Sequence, residues 1–308
     1  MTHERSRILV VAGPTATGKT SLAVDLAEIL GGEIVNADSM QVYRGMDVGT
    51  AKPTEEERRG IPHHLMDVVD PDEPFHAARF RALAAPVIED LAARGTPCLV
   101  VGGTGLYIRA LLGGLFDCPE APRELRLRLQ REWETRGPGA VHERLCGLDP
   151  EAARRIHPND RVRTLRALEV IELTGRPFST MARGHGFQEE TFRALKICLH
   201  MERGALDERI HRRSRDMMEG GLLEETRALL DKGYSEELKP MRAIGYRHAV
   251  ACLRGEWDRE ETVQQIRIDT RRYAKRQLTW FRGEGDYAWR TNEDRDRILR
   301  EAEAFFPR

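Results

Sequence analysis

Gly13-Pro14-Thr15-Ala16-Thr17-Gly18-Lys19-Thr20 places two glycines, a lysine and a hydroxyl in the order GxxxxGK[ST]. This spacing suits phosphate chemistry. The glycines let the backbone fold around phosphate oxygens, the amides point inward at a helix N-terminus, Lys19 adds a point charge, and the Thr20 hydroxyl can take Mg²⁺. The pattern does not say what the phosphates are attached to. Two further clusters bear on that question: Asp38-Ser39-Met40-Gln41-Val42-Tyr43 and Gly102-Gly103-Thr104-Gly105-Leu106-Tyr107. Following a strand, the first cluster would turn its side chains toward the ligand cleft. Asp and Ser are equally favoured as helix N-caps, and the residues alone leave both readings open. Thr104 offers a hydroxyl among glycines that permit close backbone approach, a composition that also fits a tight turn before a capped helix.

The elements that must carry these clusters follow from apolar patterning. Residues 8–12 form a short run of mostly branched apolar residues running into the first glycine loop, as a buried parallel strand does. From Thr20 a helical pattern sets Leu22, Leu26 and Ile29 on one side and stops at Gly31-Gly32. Residues 33–37 read as a second strand. A helix between Phe75 and Arg94 carries Phe80, Leu83, Val87 and Leu91, and a strand over Cys98–Val101 follows. Strands alternating with helices imply a parallel sheet, so the loops after residues 12, 37 and 101 are expected to converge at its carboxyl edge.

Near residue 118 the text changes to Pro119, Pro122 and an arginine-rich helix through Trp133, then a Gly-Pro-Gly turn at 137–139 and more helix to about Thr174. The expected organisation is α/β, a P-loop-type parallel sheet flanked by helices with an inserted helical subdomain. Residues 1–117 would be the core, 118–192 the insertion and 193–308 the return to the core, beginning with a strand at 194–199 and mostly helical thereafter. Over 261–282, Val263, Ile266, Tyr273, Ala274 and Phe281 form an apolar stripe while Arg267, Arg271 and Lys275 stack along another face. From 267 to 282 six basic residues stand against one acidic, a local +5 in a chain whose net charge is -1. Such a basic stripe favours a phosphate backbone as partner. Trp280 could stack on a base, although core packing suits it better.

The 308 residues are 40% apolar, enough for a full core. The five cysteines (Cys98, Cys118, Cys146, Cys198, Cys252) are widely spaced without a zinc-ligand pattern and read as reduced thiols. No segment approaches the roughly 20 apolar residues of a membrane span, and the start MTHERSR lacks a signal-peptide apolar region, so the cytoplasm is the expected compartment; a monomer is expected, although nothing in the sequence fixes the oligomeric state.

Taken in order along the chain, GPTATGKT, DSMQVY, VGGTGLY, IHPNDRVRTLRALEV at 156–170, AIGYR at 243–247 and RRYAKRQLTWFR at 271–282 resemble the tRNA dimethylallyltransferase (isopentenyltransferase) family. The chain has no C-terminal Cys/His zinc finger of the eukaryotic kind, which implies the bacterial type. The resemblance implies transfer of a dimethylallyl group from dimethylallyl diphosphate to N6 of the adenosine 3′ of the anticodon. Residues Gly13 to Thr20 would hold the diphosphate with Mg²⁺ at Thr20, and the ATP-binding motif would bind no ATP. Asp38 would be the general base, with Lys19, Thr20 and Arg213 completing the catalytic set. Ser39, Met40, Gln41, Thr104, Arg126, the 162–166 segment (Val162, Arg163, Thr164, Leu165, Arg166), Arg271 and Lys275 would contact the tRNA anticodon loop. Arg126 and Arg213 each equally suit a solvated charged helix face. A small-molecule kinase, a prenyltransferase acting on free adenylate, and an RNA-binding protein with a structural P-loop are the competing readings. DSMQ, GGTGLY and the basic helix, which a small-substrate kinase does not need, stand against the first.

Overall fold

The computed structural model describes residues 5–116, 121–186 and 189–306. Cys118, the expected 117/118 boundary and residues 1–4 lie outside the described residues. The chain forms two compact units, one made of Met1–Leu112 and Thr191–Arg308 and the other of Gly113–Glu190.

In chain order the strands are β1 (Arg7–Ala12), β2 (Glu33–Asn36), β3 (His63–His64), β4 (Cys98–Gly102), β5 (Arg193–Leu199) and β6 (Ala288–Arg290). The helices are α1 (Lys19–Leu30), α2 (Glu55–Arg58), α3 (Ala77–Ala93), α4 (Gly105–Gly113), α5 (Arg123–Leu148), α6 (Pro150–Arg155), α7 (Arg161–Thr174), α8 (Phe178–His185), α9 (Arg203–Glu219), α10 (Leu222–Asp231), α11 (Tyr246–Leu253), α12 (Arg259–Glu284) and α13 (Arg295–Phe305). All strands pair in parallel in the order β3-β2-β4-β1-β5-β6, with Val10 opposite Val100 and Val11 opposite Ile197. Successive strand residues point to opposite faces, and both faces are covered. Ile8, Val10 and Val100 face a core built with Phe80, Ile88 and Phe281, while Leu9, Val11 and Leu99 face Leu22 and Leu26 of α1 and Ile298 of α13.

Two helical faces differ from expectation. Ile29 of α1 is 52% exposed and Leu83 of α3 is 39% exposed. The buried faces use smaller residues instead: Ala23 and Ala27 beside Leu22 and Leu26 in α1, and Ala84 with Ile88 beside Phe80 and Leu91 in α3. Close helix–sheet packing admits alanine where a bulkier side chain would hold the elements apart. The stop at Gly31 does occur, with φ 65. Strands β3 and β6 were not expected, because two or three residues carry no readable alternation.

In the helical unit Gly137 adopts φ 79, ψ 164, which breaks α5 into two arms at the expected Gly-Pro-Gly site. Leu129 and Trp133 of one arm and Val141 and Leu145 of the other join Ala152, Leu165 and Leu168 in a single apolar cluster. Asp149 is buried there, and its carboxylate accepts from the Ser179 hydroxyl at 2.6 Å and from the backbone N–H groups of Ser179 and Ala152. Burial alone would raise its pKa, but these donors hold it below the usual value.

The tightest backbone approach at the carboxyl edge of the sheet is between β2 and β4. A Cβ on Gly102 would lie 2.2 Å from the Ala37 carbonyl oxygen. Gly102→Ala must therefore push these strand ends apart, and we expect about 1–3 kcal/mol of destabilisation in thermal unfolding. Gly147→Ala, on a helix with nothing near its Cβ position, should be neutral or stabilise by up to about 1 kcal/mol. Equal melting temperatures for the two variants would contradict this account of the strand contact.

Candidate active site

The phosphate loop leaves β1 at Gly13 and enters α1 through Gly18, which has φ 88 and gives the helix no side-chain cap. The first-turn N–H groups of α1 are thus left for an anion. Other contacts hold the loop from outside the cradle. The Thr17 hydroxyl donates to the Pro14 carbonyl at 2.9 Å, Asn292 Nδ2 donates to the Thr17 carbonyl at 2.8 Å, and the Thr15 N–H donates to Gln277 Oε1 at 2.9 Å. These contacts bear on two of the expected diphosphate-binding residues. Thr17 is fully buried and its side chain serves the loop itself, and the Thr15 amide is spent on Gln277, so phosphate falls to the later amides. Lys19 Nζ donates to the Pro14 carbonyl at 2.6 Å. Burial lowers the Lys19 pKa to about 8, with the Asp38 carboxylate opposing that shift.

The second loop follows β2. Asp38 Oδ1 accepts from the N–H groups of Met40 at 2.8 Å and Gln41 at 3.4 Å, a turn-forming use close to the capping role, but no helix begins here. Oδ2 takes no hydrogen bond among the described residues. The third loop locks onto the second: the Ser39 N–H donates to Thr104 Oγ1 at 3.0 Å, and the Thr104 N–H to the Ala37 carbonyl at 3.3 Å. Gln41 donates through Nε2 to the carbonyls of Thr50 and Ala51, so what it can offer a ligand is its side-chain oxygen.

These loops line one cavity of about 860 Å³, which Lys19, Thr20, Asp38, Gln41, Arg213 and Tyr273 face. Arg213, from α9, donates to the Thr50 carbonyl at 3.1 Å; burial lowers its pKa and Asp38 opposes the shift. Arg209 and Arg212 from the same helix and Arg276 from α12 also line it. Met40, Val48, Met217 and Ile244 give it an apolar part. Sequence reasoning missed the residues that hold this wall. Glu225 of α10 accepts from the N–H groups of Asp47, Val48 and Gly49 and from the Tyr246 hydroxyl, fixing the loop whose carbonyls hold Gln41 and Arg213. Nothing local in the sequence marks a carboxylate for that task.

Tyr273, expected in the apolar stripe of α12, turns into the cavity. The basic stripe beside it is partly neutralised: Arg267 and Arg271 both pair with Asp207 of α9, at 2.8 and 2.9 Å. Lys275 and Arg276 are exposed, and Trp280 packs against the core with the Arg109 guanidinium 4.2 Å from its ring centroid. In the helical unit, Thr164 is fully buried and Leu165 is 8% exposed. Both side chains turn into that unit rather than toward solvent. Val162 is 78% exposed, Arg163 and Arg166 pair with Asp160 and Glu169 on their own helix, and Arg126 is half-buried. Thr20 is exposed to the cavity with one hydroxyl, and no three His, Cys, Asp or Glu side chains gather as metal ligands among the described residues.

Comparison with known proteins shows the family. The IPP transferase family model matches residues 41–284, and the isopentenyl transferase model residues 6–68. The tRNA dimethylallyltransferase of Desulfosudis oleivorans is 52% identical over 285 residues, covering 92% of this chain and 91% of that protein. The tRNA dimethylallyltransferase 1 of Pelobacter propionicus is 53% identical over 301 residues, 97% of each chain. Among solved structures, the tRNA isopentenylpyrophosphate transferase of Bacillus halodurans superposes with a TM-score of 0.71 at 41% identity, over 98% of this chain and 95% of that one. A eukaryotic dimethylallyltransferase solved while acting on tRNA gives 0.78 at 29% identity, over 97% and 77%. With a family model across most of its length and relatives at half identity over nearly all of it, this chain belongs to the tRNA dimethylallyltransferase (IPP transferase) family.

Proposed function

We propose that the protein transfers a dimethylallyl group from dimethylallyl diphosphate to N6 of the adenosine immediately 3′ of the anticodon in tRNA, releasing diphosphate. The observation that carries this reading is that an uncapped helix N-terminus with a half-buried lysine and a carboxylate on the neighbouring loop line the same cavity. Diphosphate occupies the amides from Ala16 onward, with Lys19 and Arg213 as counter-charges. Adenine N6 is a poor nucleophile because its lone pair is delocalised into the ring. Asp38 takes the N6 proton as the nitrogen–carbon bond forms and the allylic carbon–oxygen bond breaks. The electron pair leaves on the diphosphate, where the preorganised donors stabilise the growing charge.

Thr20 is the residue that would hold Mg²⁺. A single hydroxyl completed by diphosphate oxygens and water suits an ion that keeps much of its hydration shell. When bound, the ion supplies further neutralisation of the leaving group.

The target base must leave its stack to reach the cavity. Ser39, Met40, the Gln41 oxygen and Thr104 meet it there. Val162, Arg163, Arg166 and Arg126 of the helical unit, together with Lys275 and the paired Arg271, meet the anticodon loop. No helix among the described residues is long and apolar enough to cross a membrane, and we assign the protein to the cytoplasm as a monomer. The direct test is incubation with labelled dimethylallyl diphosphate, Mg²⁺ and unmodified tRNA. Label in the RNA supports the reading; label in AMP, or none transferred, overturns it.

Two outcomes are expected of the site residues. Asp38→Asn keeps the side-chain oxygen that accepts from Met40 and Gln41, so the loop and both substrate affinities should survive, while kcat falls by roughly 10²-fold or more. Turnover near that of the wild type would remove Asp38 from the chemistry. The second concerns pH. Protonated Lys19 is the form that binds diphosphate, and its pKa in the free protein is lowered to about 8, so the cation is present below that pH and lost above it. kcat/KM for dimethylallyl diphosphate should therefore fall as pH rises through about 8, and Lys19→Arg should move that limb upward. A limb that stays in place in the arginine variant would exclude Lys19 as its origin.

A further inference from the structure

Gln277 is a polar residue on the buried face of α12, between Ala274 and Phe281, and is 6% exposed. A buried amide is tolerated only when its groups are bonded. Both ends of this one are. Oε1 accepts from the Thr15 N–H at 2.9 Å, and Nε2 donates to the Gly103 carbonyl at 2.9 Å. The first partner belongs to the phosphate loop after β1. The second belongs to the loop after β4 that presents Thr104. Nε2 lies 2.2 Å from where a Gly103 Cβ would sit, so the bridge also accounts for glycine at that position.

On the prenyl-transfer reading, these loops hold the two reactants, the diphosphate of the donor and the base of the acceptor. Their first residues also meet directly, with the Gly13 carbonyl 3.2 Å from where a Gly103 Cβ would sit, but beyond that point Gln277 bridges them. Asn292 fixes the phosphate loop from its far side, and Ser39 with Thr104 joins the second and third loops without reaching the first. We propose that Gln277 is a positioning residue that sets the spacing between the diphosphate cradle and the acceptor loops. α12 also carries Arg271, Lys275 and Arg276 on its exposed side. One helix thus supplies the cationic edge proposed for RNA and, from its buried side, the bridge that spaces the loops. Gln277 touches neither reactant in this scheme; it acts through Thr15 and Gly103.

Two substitutions test it. Gln277→Met has similar volume and removes both bonds, and should lower kcat by roughly 10- to 10²-fold, the loss expected when reactants are displaced by about 1 Å. Affinity for inorganic diphosphate should weaken severalfold, while affinity for tRNA measured without donor stays within about twofold. Gln277→Glu keeps the acceptor for Thr15 but faces the Gly103 carbonyl with an oxygen that can donate only when protonated. Its kcat relative to the wild type should rise as pH is lowered from about 8 to about 6, since burial favours the neutral acid. A role confined to stability would scale with the folded fraction and show no such recovery. Wild-type kcat in the methionine variant, or a pH-independent ratio in the glutamate variant, would overturn the proposal, and the glutamate variant decides alone should the other fail to fold. Diphosphate binding needs no transfer, so a wild type that binds diphosphate but prenylates nothing would defeat the functional reading, while the effect of Gln277→Met on that binding still tests the bridge.

Discussion

Everything at the site depends on how closely β2 and β4 meet at the carboxyl edge of the sheet. Gly102 lies against the Ala37 carbonyl with no space for a side chain, and from that contact the Asp38 and Thr104 loops leave side by side. The strand order places β1 directly beside β4, so the phosphate loop emerges next to both. In a parallel sheet every strand ends at the same edge, so the loops that follow the strands emerge together there, which is why three segments far apart in sequence share one cavity. A spread of an ångström here would separate an anion cradle from a carboxylate that are useful only together.

The electrostatics of the cavity point the same way. Burial lowers the pKa of both Lys19 and Arg213, which means the surroundings disfavour each cation. The Asp38 carboxylate offsets that effect for both, and Glu57 adds to the offset at Arg213. An incoming diphosphate would supply the missing negative charge at the N-terminus of α1, where the helix offers uncapped amides. Much of the rest of the surface pairs its charges locally, as Arg267 and Arg271 do with Asp207. The unbalanced charge is concentrated where the proposed chemistry needs it.

What could be read from sequence was local. The glycine-lysine loop, the strands before each loop, the Gly31 stop and the break at Gly137 each follow from a few adjacent residues, and each is present. The misreadings come from properties that neighbours in sequence do not encode. Ile29 and Leu83 were assigned inward because they are large, whereas the close approach of helix to sheet selected alanines. Thr164 and Leu165 sit in a basic stretch that suggests RNA, yet the helical period turns their side chains inward. Arg267 and Arg271 look free until α9 brings Asp207 to them. Gln277 and Glu225 hold loops far from themselves in sequence, and no spacing rule signals that use. Family resemblance identified the blocks, but it gave no role to the residues that hold them in register.

The central claim is that the phosphate loop takes an allylic diphosphate as donor and that no nucleotide is hydrolysed there. Phosphate loops read linked phosphates through amides and one lysine, so the motif itself is silent on what is attached. Product stoichiometry with purified protein, unmodified tRNA and Mg²⁺ decides it. With dimethylallyl diphosphate, one diphosphate should be released per prenyl group found in the RNA, and Mg²⁺-ATP should give neither modified tRNA nor meaningful ADP. Robust ADP formation that disappears in Lys19→Ala, with no prenyl transfer, would contradict the account and make this cavity a kinase site.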